Sequence, residues 1–140
     1  MKNLREMIKR HEGVRDKVYL CSAGYETIGV GRNISESGIG LTADEIDYLL
    51  DNDIIRCIKE LNSNFPWFGN LDEAREHAII DICFNLGITR LLKFKKALAA
   101  MESGRWGDAA DEFYDSKWAK QVGSSAVEIC QIIRDGKYVS

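Results

Sequence analysis

Glu12 is followed at once by Gly13, at the end of a segment in which Leu4, Met7, Ile8 and His11 recur at helical spacing. Shortly after come Tyr19 and the run Gly24-Tyr25-Glu26-Thr27-Ile28-Gly29-Val30-Gly31, rich in strand-forming residues and punctuated by glycine. A carboxyl at the end of a helix is carried by a rigid element and can project into a cleft as a proton donor. A turn close by can present a second reacting group. Acid-assisted cleavage of a sugar chain needs that combination. Taken alone, Glu12 would read as a solvated surface acid at a helix end.

The elements that must hold these groups follow from periodicity. Residues 3–11 form a short amphipathic helix stopped by Gly13, and 14–40 a small antiparallel sheet with Ser22-Ala23-Gly24 as a hairpin connection. From Thr42 the period changes to helical. Thr42-Ala43-Asp44-Glu45 is a capping box, and Ile46, Leu49, Leu50, Ile54, Cys57, Ile58 and Leu61 form one stripe over a helix of about 42–62. Asp72 caps a third helix that Gly87 ends. Leu91, Leu92, Phe94, Leu98 and Met101 mark a fourth, and Trp106 to Tyr114 a fifth. After Trp118, Gly123 and the N-capping serines Ser124-Ser125 open a sixth, stopped by Gly136.

The expected fold is α+β and a single domain: a small sheet lobe at about 13–41, a linking helix at 42–62, and a helical lobe at 63–140 that includes helix 3–11. A ligand cleft is expected between the lobes. Trp106, Phe113 and Trp118 read as core. Trp67 and Phe68, in a loop, read as packing between the lobes, with an exposed recognition patch as the alternative.

The chain has 140 residues, 45% hydrophobic and 29% charged, with a net charge of −3. That is the composition of a globular domain with one core, and the negative balance argues against a nucleic-acid partner. No apolar run reaches the roughly 20 residues of a membrane span, and the N-terminus lacks the apolar stretch of a secretory signal. Synthesis in a cytoplasm is expected, with release by another agent if the substrate lies outside. Of the four cysteines, Cys57, Cys83 and Cys130 fall on apolar helix faces and read as buried thiols. No pair has C-x-x-C spacing, and His11 and His77 are not near any cysteine, so no metal and no cofactor is called for. Lys93, Lys95, Lys96, Lys117 and Lys120 read as solvated helix faces, and secondarily as contacts to an anionic wall.

Glu12-Gly13, Arg15, Tyr19, Gly24-Tyr25, Thr27-Ile28-Gly29-Val30-Gly31, Thr42–Asp53, Phe84-Asn85-Leu86-Gly87, Arg105-Trp106 and Trp118 occur in an order that resembles the phage T-even-type lysozymes (endolysins) of glycoside hydrolase family 24. The resemblance runs from about residue 4 to residue 138, with a shortened connection between Gly31 and Thr42. It implies a muramidase that hydrolyses the β-1,4 bond between N-acetylmuramic acid and N-acetylglucosamine in bacterial peptidoglycan. The enzyme would be monomeric, bind no nucleic acid and insert stably in no membrane. It would be made in the host cytoplasm and act at the periplasmic wall, for host lysis. Glu12 matches the family's general acid and Thr27 the threonine beside the catalytic water. Gly31, Phe84 and Asn85 match substrate-cleft positions, with Asn85 a partner for an N-acetyl group; Glu112 and Arg32 align with cleft positions but with changed side chains, and Glu112 is kept as a substrate contact.

Two positions depart from the pattern. Where the family has an aspartate, this chain has Cys21, and where it has an arginine near the catalytic glutamate, this chain has Ser125. The first reading is a water held by Cys21 and Thr27. An ionised Cys21 would act as base, favoured by Arg15 or Lys17 and opposed by Glu12. A covalent thioether intermediate, and rescue by Asp16 or Glu26, stand as alternatives for the mechanism. For function, the alternatives are a lytic transglycosylase, which also needs one glutamate and no second carboxylate, and a silent peptidoglycan-binding module.

Overall fold

The structure is a computed structural model and describes residues 1–139. The fold is α+β, mostly helical with one small antiparallel sheet. Helix α1 spans Lys2–Glu12; strands β1 (Arg15–Leu20), β2 (Glu26–Gly29) and β3 (Arg32–Asn33) follow; then come α2 (Ala43–Asn64), a 3-10 turn at Phe68–Asn70 and α3 (Glu73–Leu86). Helices α4 (Ile88–Leu91), α5 (Lys95–Glu102), α6 (Trp106–Tyr114), α7 (Lys117–Val122) and α8 (Ser124–Asp135) complete the chain.

The chain divides into two compact units, with the boundary inside α2. The first, Met1–Leu49, contains α1 and the sheet, and the second begins at Leu50. In the first, strand order is β1-β2-β3, with Tyr19 opposite Thr27 and Thr27 opposite Asn33. The register of β1 against β2 shifts between Arg15 and Tyr19, an irregularity in the ladder. The hairpin closes where the Cys21 N–H donates to Tyr25 O at 3.0 Å and the Gly24 N–H to Cys21 O at 2.8 Å. Thr27, 3% exposed, is the one buried side chain among the described residues of this unit.

The path from β3 to α2 is pinned by polar groups. Asn33 Oδ1 accepts from the Ser35 N–H and hydroxyl, and Arg32 donates to Gly40 O and to Glu45 Oε1 at 2.9 Å. A Cβ at Gly38 would lie 2.3 Å from Asn33 O, so only glycine fits that crossing. The capping box at the start of α2 forms as its sequence predicts: the Thr42 N–H donates to Glu45 and the Glu45 N–H to Thr42 Oγ1.

The second unit holds the hydrophobic core. Leu61, Ile79, Ile82, Leu91, Phe113 and Ile133 are fully buried, and Trp118 is nearly so. The stripe on α2 divides accordingly: Cys57 and Leu61 are buried, whereas Ile46 and Leu49 remain about half exposed in the coreless first unit. Asp72 caps α3, and Gly87 and Gly136 end α3 and α8 as expected.

Three expectations about the helices are corrected. The fourth helix is two pieces, α4 and α5, broken at Leu92–Phe94, and its apolar residues sit on both sides of the break. A short helix, α7, carries Trp118; it is too brief for periodicity to reveal, yet Ser116 caps it by accepting from the Ala119 N–H. Ser124 and Ser125 lie inside α8, and its N-cap is Gly123 without a side-chain hydrogen bond. Trp67 and Phe68 form no exposed patch: Phe68 is buried and Trp67 stacks on Phe65 at 5.0 Å.

Candidate active site

Glu12 is the last residue of α1, and the Gly13 N–H closes the helix on Lys9 O at 2.8 Å. From there its carboxylate reaches the backbone between β2 and β3. A Cβ placed on Gly31 would lie 3.0 Å from Glu12 Oε2, and φ at Gly31 is +69°. Two constraints therefore coincide at Gly31: backbone that L-residues avoid, and a carboxylate resting where a side chain would begin. Gly31 and Glu12, matched separately by resemblance, are brought together.

Cys21 and Thr27 are also brought together, across the β1–β2 hairpin. The N–H groups of Tyr25, and then of Ala23, stabilise the Cys21 thiolate and hold its pKa below the usual thiol value. Partial burial works in the opposite sense, and the Thr27 hydroxyl and Gly24 N–H add to the lowering. The lowering comes from the turn's own hydrogen-bond donors and not, as expected, from the charges of Arg15 or Lys17. Arg15 lies over the Tyr19 ring, 4.9 Å from its centre. The single Thr27 hydroxyl proton is donated to Tyr25 O at 2.8 Å and is available to the Cys21 sulfur only when the hydroxyl turns; its lone pairs can accept from water. Arg32 is engaged with Gly40 and Glu45 and so braces the loop that follows the sheet.

In the second unit, Phe84 is 45% exposed and not part of the core. It lines an apolar hollow with Leu50, Ile54, Ile58 and Ile80. Asn85 Oδ1 accepts from Trp118 Nε1 at 2.9 Å, so its amide is oriented by the core and its NH₂ stays available as donor. Asn85 lines a cavity of about 330 Å³ with His77, Asp81, Ser125 and Glu128. Ser125, at the family's arginine position, thus faces a space bounded by two carboxylates. Burial, and then Glu128, push the Asp81 pKa up. The Asp81–Glu128 pair had no sequence signal, because the two residues lie on separate helices. Glu112 is exposed and borders other hollows, with Lys96 and Arg105 on one side and Lys93 and Ser116 on the other. Neither of these two hollows is lined by Phe84 or Asn85.

The phage lysozyme family model matches residues 9–131. The chain belongs to the phage lysozyme family. Members of this family are glycoside hydrolases, and this chain is accordingly an enzyme, a peptidoglycan hydrolase. It is 28% identical to the probable T4-type lysozyme 1 of Dictyostelium discoideum, over 96% of this chain and 95% of that protein. It is 31% identical to the endolysin of Acyrthosiphon pisum secondary endosymbiont phage 1, over 81% of this chain and 75% of the other. The pre-baseplate central spike protein Gp5 of Enterobacteria phage T4 is 27% identical over 99% of this chain, which spans only 28% of that protein.

Proposed function

We propose that this protein is a muramidase that cleaves the β-1,4 bond between N-acetylmuramic acid and N-acetylglucosamine, with Glu12 as general acid. The observation that carries the reading is the Glu12 carboxylate seated 3.0 Å from the Cβ position of Gly31, on the sheet whose hairpin presents Cys21 and Thr27. Glu12 protonates the glycosidic oxygen as the bond to the anomeric carbon lengthens. A water accepted by Thr27 Oγ1 attacks that carbon and passes its proton to the Cys21 thiolate, which the turn amides keep available. The proton returns to Glu12 through solvent after product leaves. Charge balances without a second carboxylate, and displacement by water inverts the anomeric centre.

The substrate is bacterial peptidoglycan and the working form is a monomer. Phe84, Asn85 and Glu112 serve as sugar contacts, the Asn85 NH₂ donating to an N-acetyl carbonyl. The biological role is host lysis by a phage-type endolysin. The protein is made in the host cytoplasm and acts on the periplasmic wall after release through the inner membrane.

The test is turbidity of outer-membrane-permeabilised Gram-negative cells, with mass spectra of the soluble products. Clearing by the native protein but not by Glu12→Gln, with reducing-end muramic acid, supports the reading. Anhydromuramyl ends would assign a lytic transglycosylase, and murein binding without new ends a silent module.

A further inference from the structure

Cys57 and Glu60 stand one turn apart on α2, and Cys83 lies on α3. The two sulfurs and a Glu60 carboxylate oxygen all fall within 4.8 Å of one another. Cys57 is 2% and Cys83 1% exposed, whereas the Glu60 side chain is 34% exposed and opens the cluster to solvent. A tetrahedral ion with bonds of about 2.3 Å to sulfur and 2.0–2.2 Å to oxygen sets its donors roughly 3.3–3.8 Å apart. The 4.8 Å bound on the observed separations exceeds that range by about 1 Å, a gap the side chains close on binding.

We infer that Cys57, Glu60 and Cys83 form a binding site for a thiophilic divalent cation, Zn²⁺ or Cd²⁺. Two sulfurs and one oxygen suit such an ion and not Mg²⁺ or Ca²⁺, which need an oxygen shell. Both thiols give their protons to solvent on binding. One cation, two thiolates and one carboxylate then carry a net charge of −1. Arg56, with Nε 3.7 Å from Glu60 Oε1, offsets that surplus. The fourth position falls on the open side beside Glu60 and is filled by water. The site uses no residue of the catalytic set. Its effect is to clip α2 to α3 within the second unit. The cysteine spacing conceals it because the donors come from two helices.

The test uses the full chain, reduced and stripped with chelator, in a Cys21→Ser background that removes the partly exposed thiol. Titration with Cd²⁺ is followed by the thiolate-to-cadmium charge-transfer absorption and by thermal unfolding. Saturation at one ion per chain, release of two protons and a higher unfolding midpoint are expected. Cys57→Ala and Cys83→Ala each abolish the band. Glu60→Gln, on a partly exposed side chain, keeps the fold and weakens binding by roughly tenfold or more. Absence of the band in folded protein, its survival in Cys57→Ala or Cys83→Ala, or unchanged affinity in Glu60→Gln would overturn the site.

Discussion

Glu12 and Gly31 constrain each other, and the mutations that separate them make different demands. Glu12→Gln keeps the shape but removes the transferable proton, so kcat falls by about 10²–10⁴ while the fold is unchanged, read by turbidity and circular dichroism. Gly31→Ala places a methyl 3.0 Å from Glu12 Oε2 on backbone with positive φ. It costs about 1–2 kcal/mol of stability and also displaces the acid, so both the denaturation midpoint and kcat drop. For Cys21 the pH profile decides. The thiolate is the working form, so activity increases as pH climbs through the Cys21 pKa. Because the turn amides lower that pKa, the midpoint of the limb lies below the ordinary thiol value of about 8.5. Cys21→Asp moves the limb toward about 4 and retains activity, and Cys21→Ser removes the base and lowers it. Equal rates for Cys21→Ala and native protein would take the sulfur out of the mechanism.

At the level of elements, local signals were legible wherever the controlling contacts are near in sequence. The capping box at Thr42–Glu45, the Asp72 cap and the stops at Gly13, Gly87 and Gly136 each depend on a few consecutive residues. What was not legible depends on distant partners or on the detailed conformation of a turn or short helix. The break between α4 and α5 leaves the apolar spacing intact, and α7 has only two buried residues, Trp118 and Ala119. The tie between Asn85 and Trp118 joins α3 to α7, and the donors to Cys21 come from the fold of a turn. The same contrast gives a stability prediction for α8. Burial pushes the Cys130 pKa up to about 11, with Arg134 the largest opposing influence. The thiol is neutral in the folded state and ionises near 8.5 when unfolded. Its contribution is therefore complete below about pH 8.5 and is lost as pH climbs toward about 11, at about 1.4 kcal/mol per pH unit. Cys130→Ala lowers stability at neutral pH by leaving a small void but flattens that alkaline decline, as denaturant titrations at stepped pH would reveal.

Across the whole chain, cohesion is divided unevenly. From Leu50 on, helices α3, α5, α6 and α8 surround side chains such as Phe113, Ile79 and Ile133 that are fully buried. In Met1–Leu49 the one buried side chain among the described residues is Thr27, and α1 buries none. That unit is held by hydrogen bonds of the hairpin, by the Arg32–Glu45 pair and by the Asn33 loop contacts. Exposed ion pairs contribute about 0–1 kcal/mol each, whereas one buried large apolar side chain contributes about 1.5–3 kcal/mol. The part that carries the proposed acid and water-holding groups therefore opens more cheaply than the part that carries the core. Amides of β1, β2 and α1 should exchange with solvent at free energies well below those of α3 and α8, which report global unfolding. Native-state hydrogen exchange measures this directly, and a single shared opening energy for Thr27 and Ile82 would show instead that the two units unfold as one. If the energies differ as expected, Arg32→Ala should speed exchange across β2 and β3 and leave α3 unchanged, because the two bonds it removes tie β3 to Gly40 and to Glu45 at the start of α2.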